Sequence, residues 1–205
     1  MNTLRVLIVA VGGQGNILAA KLLGEAGLSR GLDVRMSEFH GMAQRGGVVE
    51  SMVLLGDGKG YCIADGEADI LVGFEPCETL RAAGKCSPNT VVITNTAPVP
   101  PFSVALGRSL YPDVQGALTA LAAHVGKLVS FDATALAQNA GSALSLNVVM
   151  MGALYAHLAP RLQQEDFFKA IRERTKPALI DVNLRAFKAG CLAVGQPSAP
   201  IRSAK

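Results

Sequence analysis

The densest chemistry in the chain lies between Glu38 and Gly47, where the sequence reads Glu-Phe-His-Gly-Met-Ala-Gln-Arg-Gly-Gly. An acid, an imidazole, an amide and a guanidinium stand within a few residues of one another, interleaved with glycines that free the backbone. Glu38 could hold a ribose hydroxyl, and His40 could carry a proton. Gln44 adds an amide, Arg45 suits a carboxylate or phosphate through paired hydrogen bonds, and Gly46 lets a ligand approach the chain. A second motif, Gly12-Gly13-Gln14-Gly15, is of the kind that cradles a phosphate at a helix start. Asn95 and Asn147 supply two further amides. Loops are polar in any case, so composition alone is equally consistent with a solvated segment and with glycines that merely allow close packing. Nothing in the sequence places any of these groups at a reacting centre, and no catalytic residue is assigned.

The elements that must position these residues are legible in the hydrophobic pattern. Val6–Ala10 is an unbroken apolar run without period-two alternation, the mark of a strand buried on both faces. It stops at the glycines, and a helical pattern starts at Asn16. Ala10 occupies the first glycine position of G-x-G-x-x-G, so the dinucleotide fingerprint is incomplete. Residues 33–39 read as a second strand, which with the first strand and helix forms a right-handed crossover unit. Residues 48–55 read as a third strand. The Gly-Asp-Gly-Lys-Gly turn at 56–60 then predicts a hairpin returning through Tyr61-Cys62-Ile63. Gly56-Asp57-Gly58 with Asn89 further on has the outline of a thiamine-diphosphate/magnesium motif. That motif needs a helix soon after its glycines, whereas a strand and a loop follow here.

Residues 68–74 and 90–93 are two more buried strands, with a helix at 75–83 between them that carries Pro76 in its first turn. Helices follow at 113–125, 133–140, 145–158, 165–174 and 178–189, the last ending before Gly190, with a short strand at 128–131. Asn147, near the start of its helix, reads either as a cap or as a group pointing at the site. The implied class is α/β with a largely parallel sheet. In such sheets ligands sit outside the carboxyl ends of the strands. The glycine turn, Glu38–Arg45, Glu75 and Asn95 all fall near such ends, so they are expected on one rim.

Composition narrows the partners. Half of the 205 residues are hydrophobic and 17% are charged, which suits one well-buried domain with a substantial interface. A net charge of +3 from dispersed Lys and Arg gives no stripe for nucleic acid. No apolar run reaches membrane-spanning length, and the first strand follows Met1-Asn2-Thr3 with no room for a signal peptide. Cys62, Cys77, Cys86 and Cys191 fit no zinc or iron–sulfur spacing. The expected compartment is the cytoplasm, with the thiols reduced. One domain is expected over 1–192, followed by a flexible tail at 193–205.

Taken together, Val11-Gly12-Gly13-Gln14-Gly15, the block from Glu38 to Gly47, and Asn147-Val148-Val149 before Gly152-Ala153-Leu154 are specific enough to be recognised. The chain resembles the gamma-type subunit of 2-oxoacid:ferredoxin oxidoreductases, and within that family the small (beta) subunit of indolepyruvate-type enzymes, over Leu4 to about Ala193. The resemblance implies a three-layer α/β/α Rossmann-like domain with a mixed, mostly parallel sheet. It implies a complex that oxidatively decarboxylates an aryl-2-oxoacid to an acyl-CoA. Thiamine diphosphate, Mg, iron–sulfur clusters and coenzyme A then belong on or with a large partner subunit, which passes electrons to ferredoxin. This chain would have no redox centre of its own and would complete the site or the interface. The rim residues expected at the cofactor are Gly12, Gly13, Gln14, Gly15, Glu38, His40, Gln44, Arg45, Gly46, Asn95 and Asn147. Two other readings stay open: a free-standing NAD(P)-binding oxidoreductase, and a nucleotide-binding regulatory module.

Overall fold

Strand β1 (Leu4–Val11) is apolar because both of its faces are covered. Val6, Ile8 and Ala10 join one buried cluster, while Leu7 and Val9 join another on the opposite side. The computed structural model describes residues 3–41, 47–58, 60–101, 104 and 106–195. Gln44, Arg45 and Gly46 of the candidate site, and tail residues 196–205, lie outside the described residues.

The six-stranded sheet has the order β2-β3-β1-β4-β5-β6, with β2 Val34–His40, β3 Val48–Leu55, β4 Ala68–Gly73, β5 Cys86–Asn95 and β6 Lys127–Phe131. β1, β4, β5 and β6 are parallel, and β3 runs antiparallel to both β1 and β2. One face carries α1 (Asn16–Ser29), α4 (Ala133–Ala140), α5 (Leu146–Tyr155), α6 (Gln164–Arg174) and α7 (Ile180–Ala193). The other face carries α2 (Pro76–Arg81) and α3 (Val114–Ala122). The mixed, mostly parallel sheet between two helical layers is the expected α/β/α architecture.

Two expectations about the sheet need correction. β1 and β2 run in the same direction, but they are not neighbours as in a simple crossover unit, because β3 is inserted between them. The hairpin is made by β2 and β3 through the 41–47 connection, not by Tyr61–Ile63. That segment stays outside the ladder and covers the sheet instead. The Ile63 N–H meets Met52 Sδ at 3.2 Å, and Ser37 donates its hydroxyl to the Tyr61 carbonyl.

The last helix also differs from expectation. α7 runs through Gly190 to Ala193, since Gly190 is a crossing point and not a terminator. A Cβ there would lie 1.9 Å from the Val149 carbonyl oxygen of α5, and one at Gly152 would lie 1.9 Å from the Phe187 carbonyl oxygen of α7. The two helices therefore touch backbone to backbone. α5 is buried from Leu146 to Leu154, as suits a helix that is apolar all round. No helix among the described residues is long and apolar enough to cross a membrane.

Candidate functional site

The rim at the carboxyl ends of β1, β2, β4 and β5 gathers most of the polar residues singled out above. β1 continues through Ala10 and Val11, so the turn begins at Gly12 and the missing glycine at position 10 is not needed. Gly13 (φ 99°) and Gly15 (φ 81°) are left-handed, a conformation that favours glycine. The space beside Gly13 is open, whereas a Cβ on Gly15 would meet Asn147 Nδ2 at 2.5 Å.

Gln14 spans the mouth between β1 and β4. Its Oε1 accepts from the Val11 N–H at 2.8 Å, and its Nε2 donates to the Phe74 carbonyl at 3.2 Å. The Gly12 N–H donates to the Gly47 carbonyl at 2.8 Å, which ties the β2–β3 connection onto the glycine turn. Asn147 donates from Nδ2 to the Gly15 carbonyl at 3.2 Å, while its Oδ1 accepts from the Val148 N–H at 2.9 Å. It thus faces its own helix start and the glycine turn at once.

Asn95 is fully buried at the end of β5. Its Nδ2 donates to the carbonyls of Phe74 and Ala97 and to the Thr134 hydroxyl, and its Oδ1 accepts from Ala97 and Ala133. This amide holds β4, β5 and the start of α4 in register, with its hydrogen bonds all inside the protein. Glu38 lies within β2, not beyond it, opposite Ser51. His40, the last residue of β2, lies on the same face with its Nε2 3.7 Å from the Glu38 carboxylate. Both reach solvent, where such a pair contributes little to stability.

Glu75 is a larger structural feature than its position in the sequence suggests. It is 1% exposed, caps α2 by accepting from the Glu78 N–H at 3.0 Å, and accepts from the Val99 N–H at 3.3 Å. The Tyr111 hydroxyl donates to the same Oε1. Burial, with hydrogen bonds to Cys77 and Glu75 adding to it, pushes the Tyr111 phenol above its ordinary range, so it remains a protonated donor. Burial likewise raises the Cys77 thiol, which leaves it a poor nucleophile. Tyr111 gave no sequence signal, because its partner is 36 positions away. Asn16 was also missed: it is buried at the start of α1 and donates to the Ile8 and Val49 carbonyls at 3.1 and 2.7 Å.

Among the described residues, no group of three or more His, Cys, Asp or Glu side chains could hold a metal ion. The four cysteines are free thiols.

The sheet and its two helical layers define an α/β/α domain whose fold recurs in solved structures. The gamma subunit of a keto/oxoacid ferredoxin oxidoreductase from Geobacter sulfurreducens superposes with a TM-score of 0.68 at 22% identity, covering 93% of this chain and 98% of that one. Pyruvate oxidoreductase subunit PORC from Thermotoga maritima gives 0.69 at 21% identity, covering 93% and 96%. A 2-oxoglutarate:ferredoxin oxidoreductase from Magnetococcus marinus contains the same fold as part of a longer chain, with a TM-score of 0.72 over all of this chain and 33% of that one.

The chain belongs to the pyruvate ferredoxin/flavodoxin oxidoreductase family, whose model matches residues 5–193. It is 41% identical to indolepyruvate oxidoreductase subunit IorB of Methanothermobacter thermautotrophicus, over 90% of this chain and 94% of that one. It is 38% identical to the subunit of the same name from Archaeoglobus fulgidus, over 96% and 98%.

Proposed function

We propose that this chain is the small subunit of an indolepyruvate-type 2-oxoacid:ferredoxin oxidoreductase, acting on aryl-pyruvates in the cytoplasm. The large subunit would carry thiamine diphosphate, Mg and the iron–sulfur clusters, and would hand electrons to ferredoxin. Residues 1–192 would act as one unit, with 193–205 as a tail. The rim formed by the glycine turn and the β2–β3 connection would form one wall of the pocket in which the oxoacid loses carbon dioxide and coenzyme A receives the acyl group. Gly12, Gly13, Gln14, Gly15, Glu38, His40, Gln44, Arg45 and Gly46 would face that pocket or the partner, and Asn95 and Asn147 would support the wall from behind.

The observation that carries this reading is the Gly12–Gly47 hydrogen bond, which ties the end of the Glu38–Gly47 block to the glycine turn. Both helical layers supply apolar packing, and the rim carries the polar groups of Gln14, Glu38 and His40. A nicotinamide reading is less well supported. Insertion of β3 sets Glu38 two strands from the glycine turn, about 10 Å at the usual strand spacing, instead of on the neighbouring strand.

The test is to tag this chain in its own organism and purify what accompanies it. A brown, thiamine-dependent complex that oxidises aryl-pyruvates with ferredoxin and coenzyme A is the expected result. Replacing Arg45 by Ala in that complex should raise KM for the oxoacid or coenzyme A while leaving assembly intact. A colourless, solitary chain, or one that binds a nicotinamide dinucleotide by itself, would overturn the proposal.

A further inference from the structure

On the α2 side of the sheet the cover is incomplete. α2 and α3 lie over β1, β4, β5 and β6. The segment around Tyr61 and Ile63 covers the lower part of β2 and β3, where Arg35 stands 5.9 Å from the Tyr61 ring centre. Between these two covers runs the cross-strand row Phe39–Glu50–Val9. Residues opposite one another in an antiparallel pair share a face, so Phe39 and Glu50 look out on the side where Val9 is buried.

Phe39 is 48% exposed. Glu50 is half-buried and makes no ion pair among the described residues. α2, which lies over β1, adds a buried carboxylate at Glu78. That residue is 8% exposed, its Oε2 has no hydrogen-bond partner, and its nearest cation, Arg81 Nε, is 3.8 Å away on an outward-facing side chain. Burial raises the Glu78 carboxyl, and the neighbouring Glu75 and Glu50 carboxylates add to the rise against the opposing effect of Arg81. Among the described residues the notch therefore holds more carboxylate than cationic charge, on a chain whose net charge is +3.

The geometry points to a socket for one basic side chain, an arginine or lysine, of the large subunit, its stem lying on Phe39 and its cation on the Glu50 carboxylate, with the buried Glu78 charge behind it. An aromatic face beside two carboxylates is the environment a guanidinium or ammonium prefers when it leaves water. The Glu50 carboxylate accepts no hydrogen bond from any described residue, and Arg35 is engaged by Asp33 at 2.5 Å. The identity of the occupant rests on the reading of this chain as a small subunit.

The experiment measures the affinity of the tagged chain for the large subunit of the native complex across a salt series. It compares the unaltered chain with Glu50→Gln, Glu78→Gln, Phe39→Ala and Glu50→Asp, and with Glu173→Gln on α6 as a distant control. Removing the Glu50 charge should weaken assembly at least about tenfold at low salt and flatten its salt dependence. Glu50→Asp should keep the salt dependence, Phe39→Ala should weaken assembly without flattening it, and Glu173→Gln should change nothing. Thermal midpoints of the free variants separate lost docking from lost folding. Wild-type affinity and salt slope in both Glu50→Gln and Glu78→Gln would overturn the socket. So would a Glu50-dependent association of two copies of this chain with the hetero-complex unaffected. If no large subunit accompanies the unaltered chain, the proposed function fails; an intact complex indifferent to Glu50 sinks the socket alone.

Discussion

Acid should destabilise this protein through His157. The imidazole follows α5, is 6% exposed, and has its titration pulled down from 6.5 to about 4, chiefly by burial and secondarily by the Lys127 ammonium. The unfolded chain takes up its proton near the ordinary value, whereas the folded chain resists until about pH 4. Between those values the unfolded state binds more protons, so stability falls as the pH drops through that window and is flat above it. The full gap corresponds to about 3 kcal/mol, at 1.36 kcal/mol per pKa unit. About 2 kcal/mol of it is lost between roughly pH 7.5 and pH 5, a sizeable part of the stability of an ordinary domain.

Burial raises the carboxyls of Asp69 and Glu78, which acts in the opposite direction on acidification. Their contribution is common to the parent and a His157→Gln variant, so it cancels in the comparison. Urea unfolding of both proteins at the two pH values is the assay. The variant should lose about 2 kcal/mol less than the parent on acidification, whatever its stability at neutral pH. An equal loss in both would refute the argument, as would a His157 ring resonance that titrates near its ordinary value in the folded chain.

Two other perturbations follow from close contacts. Gly152→Ala or Gly190→Ala would drive a methyl into a facing carbonyl where α5 crosses α7, and each should cost about 1–3 kcal/mol or more in denaturant unfolding. Glu75→Gln leaves one acceptor oxygen for three donors, the N–H groups of Glu78 and Val99 and the Tyr111 hydroxyl. It should cost about 1–3 kcal/mol and speed limited proteolysis between Val99 and Tyr111 relative to the rest of the chain.

Local sequence revealed most of the elements and little of their adjacency. β1 was legible because a strand buried on both faces has no polar residues to interrupt it. The same argument cannot say which strands lie beside it. Nothing in Val48–Leu55 distinguishes a strand inserted antiparallel between β1 and β2 from one placed at the sheet edge. Tyr61–Ile63 has the β-branched and aromatic character of a strand, but its residues serve to cover Met52 and Arg35. Gly190 reads as a helix end because glycine is a common terminator, while its real cause is a carbonyl on another helix. The clamp on Glu75 joins groups far apart in sequence, and no periodicity reports such a pairing. The rim itself was foreseeable, because it follows from where strands end.

The inserted strand bears on what the rim can do. In a dinucleotide-binding domain the chain after the second strand departs, and the glycine turn faces a diphosphate. Here the β2–β3 connection returns to the turn, and Gly47 accepts the Gly12 N–H. Gln14 fills the mouth of the crevice between β1 and β4, and Asn147 packs against Gly15 from α5. Much of the polar capacity around the turn is thus directed at other parts of the same chain, Gly47 among them. Less of that capacity is left for a diphosphate than in a dinucleotide-binding turn. Gln14→Ala tests the point: it should release the glycine turn from the end of β4 and impair the assembled enzyme while the free chain stays folded. Unimpaired turnover in the complex would show that Gln14 serves the fold alone.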